Sequence, residues 1–413
     1  MKKTNTRTKK NKKTLVLSVI AFFVVLAMCT SVAAVSDYYS NKSVGLKVAA
    51  VPKDTVIDFD IPNKEPEFSD KAYTLLNDMT VEEKVYQMFM ITPEQLLSTS
   101  STVTSSGSSA KTAIETYPVG GVIYFGANIK NPTQCIDMIS NLQSYSKTPL
   151  FIAVDEEGGS VARIGNNENM GTTQFPNMGS IESADEAYNV GYTIGTEIKQ
   201  FGFNLDFAPV ADVDSNPDNT VIGNRAFSSD PNTAAEYVAA AVNGFNDAGM
   251  LCTLKHFPGH GDTDTDTHYG YAEVTKTLDE LRECEFLPFQ SGIKAGADFV
   301  MLGHLAAPKI TGNTIPASLS KPIIDLLQTE FGFKGLVITD AMRMDAIVDD
   351  YYSDEAAILA VQAGVDIILL PNNFKKASTG VINAVNDGTI SEERINQSVL
   401  KILQKKIDSG IIK

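Results

Sequence analysis

The chain has 413 residues, and its 50 acidic and 34 basic residues give it a formal net charge of −16 at pH 7. Such an acidic chain excludes nucleic acid and an anionic lipid surface as main partners, because like charges repel. The apolar fraction of 43% is ordinary for a globular protein, and the length suits one large α/β domain with its own core.

The first 36 residues differ in composition from the rest and predict a signal peptide or an N-terminal membrane anchor. They carry seven basic residues and no acidic one, and the apolar run LVLSVIAFFVVLAMC fills positions 15–29. A basic start followed by an apolar run is typical of an export signal. If the segment is retained, positions 15–35 are long enough to cross a bilayer with the lysines inside. Lipidation at Cys29 is a third possibility. We expect an extracytoplasmic protein, either secreted or bound to the membrane through this segment alone.

Two further stretches lack the periodicity of regular structure. Residues 37–67 mix prolines with charges and predict a tether, which leaves residues 68–413 as a single folded domain. The Ser-rich stretch 97–112 predicts a flexible surface loop within that domain. Cysteines in the domain are odd in number and widely spaced, which indicates buried free thiols rather than disulfides or a zinc site. They are Cys135, Cys252 and Cys284.

Eight short apolar runs alternate with segments of helical periodicity and predict a (β/α)8 barrel of the TIM type. Near-continuous apolar strands indicate a parallel sheet, and helices between them supply the crossovers. Helices are expected in residues 183–202 and 232–249, where apolar residues recur every three or four positions. The first run is ambiguous, since VEEKVYQMFMI is equally compatible with a helix that runs into a strand. The predicted strands are residues 85–91, 120–125, 149–155, 204–210, 251–257, 298–304, 335–340 and 366–371.

Polar residues stand at the C-terminal ends of five of these strands. An apolar strand has no packing reason to end in a charge, and the active site of such a barrel lies at the C-terminal ends of its strands. We therefore expect these residues to share one rim, although any one of them alone could be a solvated strand end. They are Asp155, Asp212, Asp214, Lys255, His256, His304 and Asp340.

The stretch KHFPGHGDTDTDTHYG, residues 255–270, contains three of the four histidines and has two interpretations. The stretch fits a metal-binding site poorly. A calcium loop would need glycine where Thr267 stands, and proline and glycine between His256 and His260 break the helix of a zinc pair. Glycines and threonines instead suit a mobile loop that carries a proton-transferring histidine. We expect neither a metal nor another cofactor. The acids that fit the calcium spacing are Asp262, Asp264, Asp266 and Glu273.

Three motifs resemble signatures of the family 3 glycoside hydrolases, and in particular of the single-domain bacterial β-N-acetylglucosaminidases. They are DEEGGSVAR at 155–163, KHFPGHGDTDTDTH at 255–268 and VITDAM at 337–342. Residues 79–89 and 394–406 match the edges of that family's domain, so the resemblance covers nearly all of residues 68–413. The sequence departs from the family at Ser160, where arginine is frequent, and in its Ser-rich stretch.

The resemblance implies a retaining exo-β-N-acetylglucosaminidase, an enzyme of the β-N-acetylhexosaminidase type. It would remove terminal non-reducing N-acetylglucosamine from oligosaccharides such as peptidoglycan fragments or chitin oligomers. The expected partner is this oligosaccharide substrate, and we expect a monomer.

The resemblance also implies roles for individual residues. Asp340 matches the nucleophile, and its position after the apolar GLVIT agrees, although a helix N-cap is the alternative. His268 matches the general acid/base and Asp266 the carboxylate that orients it, and a histidine exchanges protons near neutral pH. The matches to sugar-binding residues are Asp155, Arg163, Arg225, Lys255 and His256.

Some of these positions have simpler explanations. A salt bridge would account for Arg163, and a solvated loop for Arg225. His260 is expected to shape its loop, whereas His304 either contacts substrate or is satisfied inside the barrel mouth.

Three other functions stay open. A β-glucosidase or β-xylosidase of the same family is disfavoured by the His268–Asp266 pair and by the lack of a second-domain acid. A non-catalytic sugar-binding barrel is disfavoured by the presence of Asp340 and His268. A glycoside phosphorylase remains, because a neutral histidine does not repel phosphate as a carboxylate would.

Overall fold

The computed structural model describes residues 68–263 and 272–413. The expected signal or anchor (1–36) and the tether (37–67) lie outside these residues, as do His268 and Asp266. Within the described ranges, no helix combines the length and the apolar character needed to cross a membrane.

Eight parallel strands form the centre of the fold. Their order in the sheet is β7-β6-β5-β4-β3-β2-β1-β8, and a parallel bridge between Ile338 and Ile367 joins the two end strands. The sheet therefore closes into a barrel, and the (β/α)8 prediction is confirmed with all eight strands. The strands are β1 (Phe89–Ile91), β2 (Gly121–Ile123), β3 (Phe151–Val154), β4 (Leu205–Asp206), β5 (Leu251–Phe257), β6 (Phe299–Leu302), β7 (Leu336–Thr339) and β8 (Ile368–Leu369).

Helices follow the strands and cover the outside of the barrel. Both helices expected from periodicity are present, as Ala184–Lys199 and Pro231–Ala248. The other helices are Asp70–Asn77, Val81–Gln87, Pro93–Leu97, Ser108–Thr116, Pro132–Tyr145, Leu278–Glu283, Phe286–Lys294, Pro308–Thr311, Lys321–Thr329, Asp345–Val348, Ser353–Ala363, Phe374–Asn386 and Glu392–Asp408.

The first predicted strand begins too early, and the alternative interpretation, a helix that runs into a strand, is confirmed: residues 81–87 are helical and β1 begins at Phe89. A capping box explains the difference. The Thr80 side chain accepts a hydrogen bond from the Glu83 N–H, and the Glu83 carboxylate accepts one from the Thr80 N–H. These reciprocal bonds satisfy the first free N–H groups of a helix and favour it over an extended chain.

The core fills the barrel and the space under the helices. Phe151 and Phe299 meet edge to face inside it, with their ring centroids 5.4 Å apart. The helices Ala184–Lys199 and Pro231–Ala248 touch almost backbone to backbone at Gly244. A Cβ atom there would lie 2.2 Å from the Tyr188 carbonyl oxygen, so only glycine permits this packing.

The Ser-rich stretch is held more firmly than expected. Val103 is buried, its N–H donates to the Glu94 carboxylate at 2.8 Å, and its carbonyl accepts from the Asn128 amide. The end of the stretch forms the helix that starts at Ser108. The three cysteines of the described residues are free thiols; Cys135 and Cys252 are buried as expected, whereas Cys284 is half-buried.

Candidate active site

A pocket of about 280 Å³ opens at the C-terminal ends of the barrel strands. Asp155 follows β3, Lys255 and His256 belong to β5, and Asp340 follows β7. The barrel therefore brings to one place side chains that are far apart in the sequence. Six of the eight expected site residues line this pocket, and the other two are the loop residues outside the described ranges. The six are Asp155, Arg163, Arg225, Lys255, His256 and Asp340.

Alternating charges run across one side of the pocket. The Lys255 Nζ lies 2.9 Å from Asp155 Oδ1 and 2.6 Å from Glu157 Oε1. Glu157 in turn accepts two hydrogen bonds from the Arg225 guanidinium, at 2.8 and 2.9 Å. Arg163 extends the chain at its other end, with its NH2 3.6 Å from Asp155 Oδ2. Arg225 is thus not in a solvated loop, whereas Arg163 does make the salt bridge considered for it.

Glu157 is the central acid of this row of alternating charges, and the sequence analysis had not singled it out. Burial opposes its charge, but Lys255 and Arg225 more than compensate and hold the pKa of the Glu157 carboxyl well below its usual range. Lys255 likewise has a raised pKa, because Asp155 and Glu157 outweigh its burial. Both groups are therefore charged over the whole range in which a neutral-pH enzyme works.

His256 is oriented by a carboxylate beneath it. Its ring Nδ1 lies 2.7 Å from Asp212 Oδ2, and the same carboxylate accepts the backbone N–H groups of His256 and His260. Asp212 is fully buried, and although burial opposes its charge, His256 and the other donors lower its pKa. Nδ1 therefore carries the hydrogen toward Asp212, and Nε2 is left for a ligand. The sequence had placed Asp212 on the rim without assigning this contact.

Asp340 is a charged acid at the mouth of the barrel. Burial would raise its pKa, but the nearby rings of His256 and His304 and a 2.7 Å hydrogen bond from the Ala341 N–H lower it. The N-cap interpretation is wrong, because the next helix, Asp345–Val348, begins after Met344 and has no side-chain cap. Asp340 is therefore a carboxylate held ionised in a pocket, which is the state required of a nucleophile.

The two remaining described histidines, His304 and His260, make hydrogen bonds to neighbouring residues of the protein. His304 is fully buried, with Nδ1 2.8 Å from Ser318 Oγ and Nε2 3.0 Å from the Ala341 carbonyl oxygen. This matches the second interpretation, a histidine satisfied inside the barrel mouth. The His260 Nδ1 lies 2.7 Å from Thr263 Oγ1, so this ring braces its loop as expected, although it also lines the pocket.

Metal binding finds no support in the described ranges, where no group of three histidine, cysteine or acidic side chains is arranged to hold an ion. Asp262, the first acid of the calcium spacing, pairs with Lys276 at 3.1 Å. Asp264 and Asp266 lie outside the described residues. For zinc, the Nδ1 atoms of His256 and His260 both have other partners, Asp212 and Thr263.

Glu156 does not line the pocket but binds the backbone next to it. Its two carboxylate oxygens each accept a backbone N–H, from Ile164 and Gly165, both at 2.7 Å. This fixes the turn that follows Arg163. Burial raises the pKa of Glu156 to about 7, against these hydrogen bonds. The neighbouring Asp206, also buried, accepts the Glu156 N–H at 2.9 Å.

Comparisons with known proteins agree with this site. The profile of the Glycosyl hydrolase family 3 N terminal domain matches residues 80–405. Beta-hexosaminidase A of Pseudoalteromonas piscicida is 35% identical over 327 residues, which cover 71% of this chain and 54% of that protein. Beta-hexosaminidase LpqI of Mycobacterium tuberculosis is 33% identical over 307 residues, which cover 72% of this chain and 78% of that protein.

A solved structure has the same architecture. It is a glycoside hydrolase family 3 β-N-acetylglucosaminidase from Paenibacillus sp., with a TM-score of 0.76 and 36% identity. The match covers 81% of this chain and 64% of that one, so this chain spans about half to two thirds of two of these three proteins. Because the family profile matches most of its length, the chain belongs to glycosyl hydrolase family 3.

Proposed function

We propose that the protein is a retaining exo-β-N-acetylglucosaminidase. The observation that carries this proposal is the ionised Asp340 in the same pocket as the charged chain Asp155–Lys255–Glu157–Arg225. Fixed donors and acceptors of this kind hold a sugar by its hydroxyl groups, and they need no rearrangement when it binds. The similar solved structure of a β-N-acetylglucosaminidase supports N-acetylglucosamine as that sugar, and the relatives named beta-hexosaminidase agree with it.

In the first chemical step, Asp340 attacks the anomeric carbon as the bond to the leaving group breaks. The leaving oxygen takes a proton from His268, and a covalent glycosyl-enzyme results. In the second step, His268 removes a proton from water, the water oxygen attacks the same carbon, and Asp340 is released. Two displacements retain the configuration. Asp266 orients His268, as the family resemblance implies.

His256 and the charged chain contribute binding. The Nε2 atom of His256, on the side away from Asp212, and the Lys255 ammonium are suited to hold sugar oxygens near Asp340. Arg163 and Asp155 suit the outer hydroxyls. We further propose that the substrates are peptidoglycan fragments and that the enzyme works outside the cytoplasm. The basic and apolar start of the chain supports this location.

The decisive experiment compares nitrophenyl β-glycosides that differ only at the second carbon of the sugar. The 2-acetamido substrate should be preferred over the glucoside by orders of magnitude, because a site built to bind a polar group rejects substrates that lack it. Equal efficiency would instead favour a β-glucosidase. Rates measured with and without inorganic phosphate test the phosphorylase alternative. No turnover by the folded protein would favour a sugar-binding barrel.

A further inference from the structure

Arg343 lies at the rim of the active-site pocket, three residues beyond Asp340. Its guanidinium carbon is 5.2 Å from the centroid of the Phe125 ring, and that of Arg163 is 5.8 Å from the same centroid. One aromatic ring thus gathers two positive charges at the entrance. Such contacts position a guanidinium but leave its donors available for other bonds.

Arg343 differs from the other cations of the pocket in having no acidic partner within the described part of the chain. Lys255, Arg225 and Arg163 each pair with Asp155 or Glu157. Among residues 68–263 and 272–413, none makes a hydrogen bond or ion pair with the Arg343 side chain. The carboxylate that influences it from a distance, Glu94, is occupied with the Val103 N–H and the Asn128 amide.

This arrangement is unexpected for a chain with a net charge of −16, in which acids outnumber bases. Two guanidinium groups near one ring also repel each other. An anion beside Arg343 would reduce that cost and fill its free donors. Arg163 adds to this, because its buried Nε has no hydrogen-bond partner among the described residues.

The position of Arg343 indicates which part of a substrate would bring the anion. An open groove adjoins the pocket and shares Phe125 and Arg163 with it. Its other polar walls are Ser160, Asn166, Asn167, Glu168 and Asn169. A leaving group that extends from a sugar in the pocket across the Phe125 rim would pass Arg343 and enter this groove.

We propose that Arg343 is a specificity residue that binds a carboxylate carried by the leaving group. The proposal rests on the proposed function, since it assumes that N-acetylglucosamine fills the inner pocket. Two sources supply a carboxylate in that position. One is an acidic substituent on the next sugar, and the other is a short peptide attached to that sugar.

The test uses N-acetylglucosamine linked β-1,4 to N-acetylmuramic acid, whose lactyl group bears a carboxylate, and the neutral methyl ester of the same disaccharide. The measured quantity is the ratio of kcat/KM for the acid to that for the ester. A ratio cancels any general effect of a substitution on the pocket. For the wild type we expect a ratio of about five, the upper end for an exposed ion pair, and a smaller one at high salt.

Arg343→Met should bring this ratio close to one, and Arg343→Lys should keep part of it, because lysine retains charge but not the planar fork. The matched control is Arg282→Met, an exposed arginine paired with Asp279 and Glu330 outside the pocket, which should keep the wild-type ratio. A third substrate, with alanine joined to the lactyl group through an amide, moves the carboxylate to a peptide. The same ratio of kcat/KM is measured for this acid and its own methyl ester. If it exceeds the ratio for the muramic acid pair, the peptide is the source of the carboxylate.

Several outcomes would overturn the proposal. Wild-type ratios near one for both acids would do so, as would ratios that Arg343→Met leaves unchanged. If inorganic phosphate accelerates cleavage and Arg343→Met removes only that acceleration, the residue serves a phosphate co-substrate instead. Failure of the proposed function is separate, because it would appear as no cleavage of a nitrophenyl N-acetylglucosaminide by the folded protein.

Discussion

Replacing Asp212 with asparagine should show how far the active site depends on one buried charge. The Asp212 carboxylate only accepts hydrogen bonds, and it faces three donors: the His256 ring at 2.7 Å, the His260 N–H at 2.7 Å and the His256 N–H at 3.2 Å. Asparagine has the same shape, but one of its oxygens becomes an NH2 group. At least one buried N–H would then face another donor.

An unsatisfied buried donor costs about 1–3 kcal/mol, and we expect Asp212→Asn to lower the free energy of unfolding by an amount in that range. The His256 ring would lose the acceptor that fixes its tautomer, so kcat/KM for a nitrophenyl N-acetylglucosaminide should fall about 10- to 100-fold, the equivalent of ~1.4–2.8 kcal/mol. Urea unfolding and steady-state kinetics measure the two effects on the same protein.

Asp230→Asn is the matched control for this experiment. Asp230 caps the helix Pro231–Ala248 by accepting the Thr233 N–H at 2.8 Å, and asparagine caps a helix equally well. Neither stability nor kinetics should change by more than a small factor. If Asp212→Asn kept kcat/KM within twofold of the wild type, the charge of Asp212 would not be positioning His256 and this reasoning would be refuted.

Three further substitutions test other parts of the site. Asp340→Ala should abolish nearly all turnover in a folded protein, whereas the control Asp349→Ala, at an exposed residue nearby, should not. A slow fluorinated substrate should label Asp340 covalently, and a label elsewhere would identify a different nucleophile. His268→Ala should slow disaccharide hydrolysis by about 10²–10⁴-fold but spare the first step with a dinitrophenyl glycoside, which would then give a burst; equal slowing of both first steps would contradict the acid role. Glu156 has a pKa of about 7 in the folded protein and near 4.5 otherwise, so the folded state binds the extra proton between these values and the free energy of unfolding falls as pH rises through that window. Glu156→Gln should make this fall shallower in urea titrations at several pH values, and parallel curves for both proteins would show that Glu156 does not hold that proton.

The sequence was sufficient to predict the barrel because each strand is a short apolar run between helical segments. Parallel strands in such a barrel end on the same face, so charges at their ends could be assigned to one rim before any contact was known. The boundary of β1 could not be predicted as well, since the capping box of Thr80 and Glu83 extends a helix into residues that also suit a strand.

The individual contacts of the acids could not be predicted from the sequence. Glu156 and Glu157 are adjacent and identical, yet one binds the backbone of Ile164 and Gly165 while the other faces Lys255 and Arg225. Both acids lie in the short strand Glu156–Gly158, which pairs antiparallel with Val161–Ala162, and successive side chains of a strand point to opposite faces. Asp212 was placed on the rim, but its partners come from β5 and from the residues that follow it, which are remote in sequence.

The charged chain Asp155–Lys255–Glu157–Arg225 has a consequence for how this pocket can change. Each member is held by neighbours from other segments, so replacing one leaves its partners with an uncompensated buried charge. The effects of two substitutions among these four residues on the free energy of unfolding will therefore not add. The second substitution will cost a different amount in the single variant than in the wild type. The four residues therefore respond to mutation as one coupled unit, and the effect of changing one depends on which residues stand at the other three.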